Sequence, residues 1–423
     1  MSSDPRFEEG LRLILEAIEA SRRDNDPPLS AQQMAHELRG FAALRGYPPR
    51  DPFLGAGRGR GARVMLADGR WILDFATPGN LFGHGNLDLT ETAIRAAASD
   101  LVNQGGGAIN REPYLLMKAI ADHAPAGMTR CALAPSSGEA AAMVFELASR
   151  RRKCSGLIAF DNRHERILPA TLYRLPGWNP ADTESATATL KALRKVIASS
   201  AGEIAAMVAE PIDLETYGFH DMPHEFLTPL FDECRAAGIM VWIDESRTFA
   251  RTPQLFATDH AGLANHADLI TIGGAIEPAA ILWRPYGKND PVPSNDGTIG
   301  ATVAIAVSLQ IIEKLTAEGY LGISGRISRL EEMARGHLAR LATESAAKIS
   351  DIDGCGALLS FRIRGVDGSL AETRDFVTRC FRAGLLLDST RRDPARVIVR
   401  LPSGDLTDPE LADACRIIGD GLP

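Results

Sequence analysis

Residues 239–245 read IMVWIDE and residues 267–274 read ADLITIGG. Each contains a run of apolar, partly β-branched residues that ends at an acid or at glycine. Two earlier runs share this character, LIAF at 157–160 and AAMVA at 205–209. Runs this short and apolar read as buried strands. Helical stretches lie between them at 139–151, 186–200 and 224–237. Strands separated by helices predict a mostly parallel sheet with helices on both faces. The fold class read from residues 128–283 is therefore α/β, with a central sheet of about seven strands.

Working outward, helices are expected at 303–317 and near 324–345. The section 352–421 mixes strands at 358–363 and 396–401 with helices at 370–383 and 407–419, and reads as a C-terminal α+β lobe. Upstream, residues 62–75 spell a hairpin around the turn Asp68-Gly69. Two amphipathic helices fill the first 45 residues. Phe7, Leu11, Ile14, Leu15 and Ile18 share one face of the first, and Ser30 is placed to cap the second. The extension is too short to fold alone and is expected to pack on the body or on a second subunit. The domains expected are a helical extension over 1–50, a large α/β domain over 51–320 that includes the hairpin, and a small α+β domain over 321–423.

The chain has 423 residues, enough for two or three lobes around one large core. The net charge of −8 gives no electrostatic footprint for nucleic acid. No apolar run is long enough to span a membrane, and residues 1–30 do not read as a signal peptide. The six cysteines, at 131, 154, 234, 355, 380 and 415, show no metal-ligand spacing. They read as reduced core thiols, so a cytoplasmic location and no metal are expected.

Ligands of open α/β sheets bind beyond the carboxyl ends of the strands. Pro135-Ser136-Ser137-Gly138-Glu139-Ala140 opens a helix there. Its hydroxyls and unpaired amides would cradle an anion, or Ser136 would serve only as a helix cap. Glu210 ends one strand and Asp244-Glu245 ends the next. Acids at those places line a pocket or cap a loop, since an unpaired buried charge is costly.

Read in order, these segments resemble the class III aminotransferases, pyridoxal-phosphate proteins of fold type I. DGRWILDF at 68–75 resembles the family's DGxxYLDF, and Gly83-His84 matches a Gly-His after it. SSGEA at 136–140 resembles the SGTEA phosphate turn, and AEPI at 209–212 resembles VEPI. IDESRT at 243–248 resembles the DEVQT segment, whose Asp pairs with the pyridine nitrogen. DGTIGATVAIA at 296–306 resembles HGSTFGGNPLA, whose Thr reaches the phosphate of the neighbouring subunit. VIVRLPSGDLT at 397–407 is similar to the closing strand and loop. The resemblance runs from about 52 to 421. It implies a homodimer, with Ser136, Ser137, Gly138, Asp244 and Thr298 as cofactor-binding residues.

The family's PDIVTLGK ends in the lysine that carries the cofactor as a Schiff base, and here ADLITIG is followed by Gly274. That lysine holds the aldehyde, leaves it and shuttles a proton, and glycine can do none of these. Seven lysines exist, at 118, 153, 191, 195, 288, 314 and 348, and Lys288 lies in the polar loop RPYGKNDPVP. Neighbouring departures accompany the glycine. The segment after it is several residues short, with Ile276-Glu277-Pro278 in place of a glycine run. Arg163-His164 in FDNRHER replaces the aromatic that stacks on the ring, and SRTFART at 246–252 is a residue short. One substitution cannot produce this set.

Two functions follow. The first is a non-standard enzyme that uses the inherited pocket without a Schiff-base lysine. Its catalytic candidates are His164, Glu210, Asp244 and Arg163. Pyridoxal or pyridoxamine phosphate would be held loosely and not covalently, or another small-molecule ligand would take the pocket. The second is a catalytically inactive homologue that binds a partner, with the pocket filled by side chains such as Arg163 and Trp283.

Overall fold

The computed structural model describes residues 4–21, 28–48, 53–105, 110–160, 170–179, 182–213, 220–293, 298–344, 348–364, 369–390 and 395–423. The central sheet has seven strands, in the spatial order Arg130–Ala134, Ala279–Trp283, Leu269–Ile272, Met240–Glu245, Ile204–Ala209, Gly156–Ala159 and Thr171–Arg174. Ala279–Trp283 runs antiparallel to both of its neighbours, and the other adjacent pairs are parallel. Every residue of Ile204–Ala209, Met240–Glu245 and Leu269–Ile272 is buried. Their side chains alternate between two cores. Val241, Ile243, Ile270 and Ile272 enter one, while Met240, Trp242 and Leu269 enter the other. Helix Ser137–Arg152 covers the second face through Ala141, Val144 and Leu147. Helices His224–Ala236 and Thr302–Ala317 cover the first through Phe231 and Ile305.

The C-terminal lobe carries an antiparallel sheet in the order Ile349–Cys355, Leu358–Ile363, Val397–Arg400 and Asp388–Ser389. Helices Arg326–Glu344, Leu370–Arg382 and Asp408–Gly421 pack on it. The expected hairpin forms as Arg63–Leu66 and Trp71–Asp74. The glycine-rich Gly55–Arg60 adds a third strand, and Leu385–Leu386 pairs in parallel with Leu73 and Asp74. Leu73 and Phe75 belong to the core of the C-terminal lobe, so the chain visits that lobe at both ends.

The N-terminal helices form at Pro5–Ser21 and Ala31–Arg45, and Ser30 makes a capping box with Gln33. The first helix docks on the body, where Glu8 pairs with Arg95 at 2.7 Å. The second buries no residue, and its Leu44 is 91% exposed. No described helix is long and apolar enough to cross a membrane.

Candidate functional site

The carboxyl ends of the parallel strands gather most of the residues singled out above. Ser136 is extended, with φ −152°, and its hydroxyl accepts the Glu139 amide at 3.2 Å. It is therefore a helix cap. The amides of Ser137 and Gly138 open the helix and have no carbonyl of their own turn to reach. They form part of the positive end of a 16-residue helix. A Cβ at Gly138 would meet only Ser136 Oγ, at 3.7 Å, so the space beside the turn is open. A Cβ at Gly273 would fall 2.4 Å from Ser137 Oγ, so that glycine lets the next loop lie against the turn.

Asp244 is buried at the end of Met240–Glu245. Its Oδ1 accepts the Ser246 amide at 2.9 Å and the Thr271 hydroxyl at 2.8 Å. Thr271 in turn accepts Trp242 Nε1 at 3.0 Å. This chain fixes the carboxylate's plane at the strand end. Glu245 points to the other face, as alternation along a strand requires. It accepts the amides of Ala257 and Thr258 at 2.7 and 2.8 Å and caps the short helix Ala257–His260. Burial pushes its carboxyl up to about 7 against those hydrogen bonds. Glu245 is thus a structural acid. Glu210 receives Arg247 Nη2 at 2.6 Å and Nε at 3.3 Å, so this candidate acid–base group is engaged by a guanidinium of its own chain.

Gly274 follows Leu269–Ile272 with φ +69°. A Cβ there would lie 2.6 Å from the Ser246 carbonyl oxygen. Side chains rarely adopt that φ, and the obstacle is backbone that cannot swing aside. A cleft of about 630 Å³ opens beside Gly274, between the Ser136-Ser137 turn and helix Thr302–Ala317. Its lining includes Gly79, Ser136, Ser137, Glu277, Ala301 and Ser308. Asp244 and Glu210 are not part of that lining.

Trp283 is not in the cleft. It pairs with Leu269 and Arg130, the first residues of their strands, at the opposite end of the sheet. The expectation that it fills the pocket is overturned, because an antiparallel strand that starts at the site carries its last residue away from it. Arg163 and His164 lie outside the described residues. The backbone of Thr298 begins a strand, Thr298–Ala301, that pairs with Asn103–Gly105, and Ala301 borders the cleft. Lys288 is exposed in its loop, and no lysine lines the cleft among the described residues.

Two features were given no role in the sequence reading. Glu277 lines the cleft, and it falls in a segment where the family pattern has a gap, so no motif signalled it. His84 Nε2 lies 2.9 Å from Asp74 Oδ2. Burial pushes the Asp74 carboxyl up, but bonds from His84, Thr77 and the Ala76 amide outweigh it and hold it below its ordinary value.

A mostly parallel sheet with a helix-opening serine turn and a buried acid at its strand ends defines an α/β protein with helices on both faces. The family model for class III aminotransferases matches residues 161–421, more than half of the chain, and the chain belongs to that family. An adenosylmethionine-8-amino-7-oxononanoate aminotransferase of Synechococcus elongatus is 26% identical over 51% of this chain and 57% of its own length. A mitochondrial acetylornithine aminotransferase of Candida glabrata is 25% identical over 61% of this chain and 62% of its own. The chain thus spans less than two thirds of either relative's length. The solved acetylornithine aminotransferase of Elizabethkingia anophelis superposes with a TM-score of 0.72 at 21% identity, covering 92% of this chain and 98% of that one. That likeness establishes the fold as the fold type I of aminotransferases.

Proposed function

We propose that this protein is a class III aminotransferase-like enzyme that holds pyridoxamine or pyridoxal phosphate reversibly, without a Schiff-base lysine. One observation carries the reading. Gly274, which the resemblance sets where the family has its lysine, has φ +69° and no room for a Cβ against the Ser246 carbonyl. The backbone there suits glycine, which supports a diverged site over one that has merely lost a side chain.

The remaining residues suit the cofactor's other groups. The amides at the start of Ser137–Arg152 would receive the phosphate, and Asp244 would hold a proton on the ring nitrogen. When bound, the cofactor supplies an electron sink for a carbanion. Arg163 and His164 are the candidates for anion binding and proton transfer, since Glu210 is already paired with Arg247. A homodimer, with Thr298 completing the neighbour's site, and a cytoplasmic location are part of the proposal.

A catalytically inactive binding protein is the competing reading, and the Glu210–Arg247 pair favours it because it occupies one candidate acid–base group. Calorimetric titration of the dialysed protein with pyridoxamine phosphate separates the two. Reversible binding, weakened by at least about tenfold when Ser137→Pro removes one amide donor, is expected of the first, since a charge-assisted hydrogen bond contributes roughly 1.5–3 kcal/mol. Absence of binding at any accessible concentration would sink it.

A further inference from the structure

Without a covalent bond, selection among ligands of one shape has to come from charge and hydrogen bonding in the cleft. Among the described residues lining it, Glu277 alone has an ionisable side chain. Glu277 is exposed, and its carboxylate meets no hydrogen-bond donor or cation among the described residues. Its backbone is nevertheless fixed. The Glu277 amide donates to Ser308 Oγ at 3.0 Å, and that hydroxyl donates to the Glu277 carbonyl at 2.7 Å. Ser308 is buried on helix Thr302–Ala317, and Ile276 beside Glu277 is buried too. The carboxylate is therefore presented at the cleft by a rigid frame, with no neutralising partner among the described residues.

The same cleft contains the start of helix Ser137–Arg152, whose amides favour an anion. The two features ask for opposite charges. A phosphate ester that also bears a primary ammonium satisfies both, while one without the ammonium brings its anion beside an unpaired carboxylate.

We propose that Glu277 is the specificity-determining residue of this cleft: it accepts a hydrogen bond from the ammonium of a phosphate-bearing primary amine, so the amine form of the cofactor is taken in preference to neutral analogues. This rests on the reading that the cleft holds a phosphate-bearing ligand. It also assigns to the ligand the positive charge that a lysine would have brought.

The test compares pyridoxamine phosphate with pyridoxine phosphate, which carries a hydroxyl in place of the ammonium and forms no imine with surface lysines. Affinities are measured by calorimetry on the full chain and on Glu277→Gln. Glu277 makes no side-chain bond that the fold needs among the described residues, so the variant should melt with the natural protein. The natural protein should prefer the amine about tenfold, as a charge-assisted bond exceeds a neutral one by about 1.4 kcal/mol. In Glu277→Gln the ratio should fall to about one, with affinity for the alcohol unchanged or improved. An unchanged ratio in Glu277→Gln, or no preference in the natural protein, overturns the proposal while leaving the binding site standing. Failure of both ligands to bind the natural protein removes the site reading and this proposal together.

Discussion

Two glycines of the site differ in what they tolerate. Gly274 combines φ +69° with a backbone carbonyl 2.6 Å from where a Cβ would stand. Gly274→Lys should therefore cost about 1–3 kcal/mol in urea unfolding and should create no competent lysine. Recovery of transaminase activity at full stability would contradict this. Gly138 has no strained φ, and its Cβ would meet only Ser136 Oγ at 3.7 Å. Gly138→Ala should be neutral or stabilise by up to about 1 kcal/mol, because alanine loses less entropy in a helix. A loss of stability in the same unfolding assay would show that packing does require glycine there. Gly274 is visible in the sequence as a departure from the pattern the chain resembles, and Gly138 as part of the segment that resembles the phosphate turn. Which of them the backbone demands is not, because φ depends on where residues 246 and 273–279 meet in space.

At the scale of elements, IMVWIDE shows what a strand's sequence can and cannot say. The apolar run predicts the strand, and alternation sends Asp244 and Glu245 to opposite faces. The destination of Glu245 was not legible, because the helix it caps begins 12 residues later and follows a loop. Burial raises the Glu245 carboxyl to about 7 in the folded chain, above its value in an unfolded one. The folded state then binds the extra proton, so this group's contribution to stability is greatest at low pH and declines as pH rises towards about 7. Glu245→Gln removes that dependence and sets an amide N–H against a backbone donor, at a cost of about 1–3 kcal/mol. Urea unfolding should show the gap between natural protein and variant narrowing from about pH 5 to about pH 8. A gap that widens over that range would count against the assignment. Three strands of the central sheet escaped the sequence reading. Ala279–Trp283 hides behind Glu277-Pro278, which reads as loop. Arg130–Ala134 has no β-branched residue, and Thr171–Arg174 is a half-buried edge.

For the whole molecule, the ordered motifs carried the α/β fold and its family, since each strand-end segment keeps its place along the chain. They did not show that the hairpin joins the C-terminal lobe, because the pairing of Leu73 with Leu385 is long-range and leaves no local pattern. A homodimer is expected, and Leu101 and Val102, exposed beside the strand Asn103–Gly105, are apolar surface suited to a subunit contact. Sedimentation should give about twice the chain mass of 45.4 kDa at micromolar concentration, and a stable monomer would contradict it. The central claim is that this family member holds its cofactor without a covalent bond, and borohydride reduction followed by intact-mass analysis tests it most directly. The natural protein, saturated with pyridoxal phosphate and reduced, should retain the unmodified chain mass and no visible absorbance after dialysis. A stoichiometric mass gain that maps to one lysine would contradict the account.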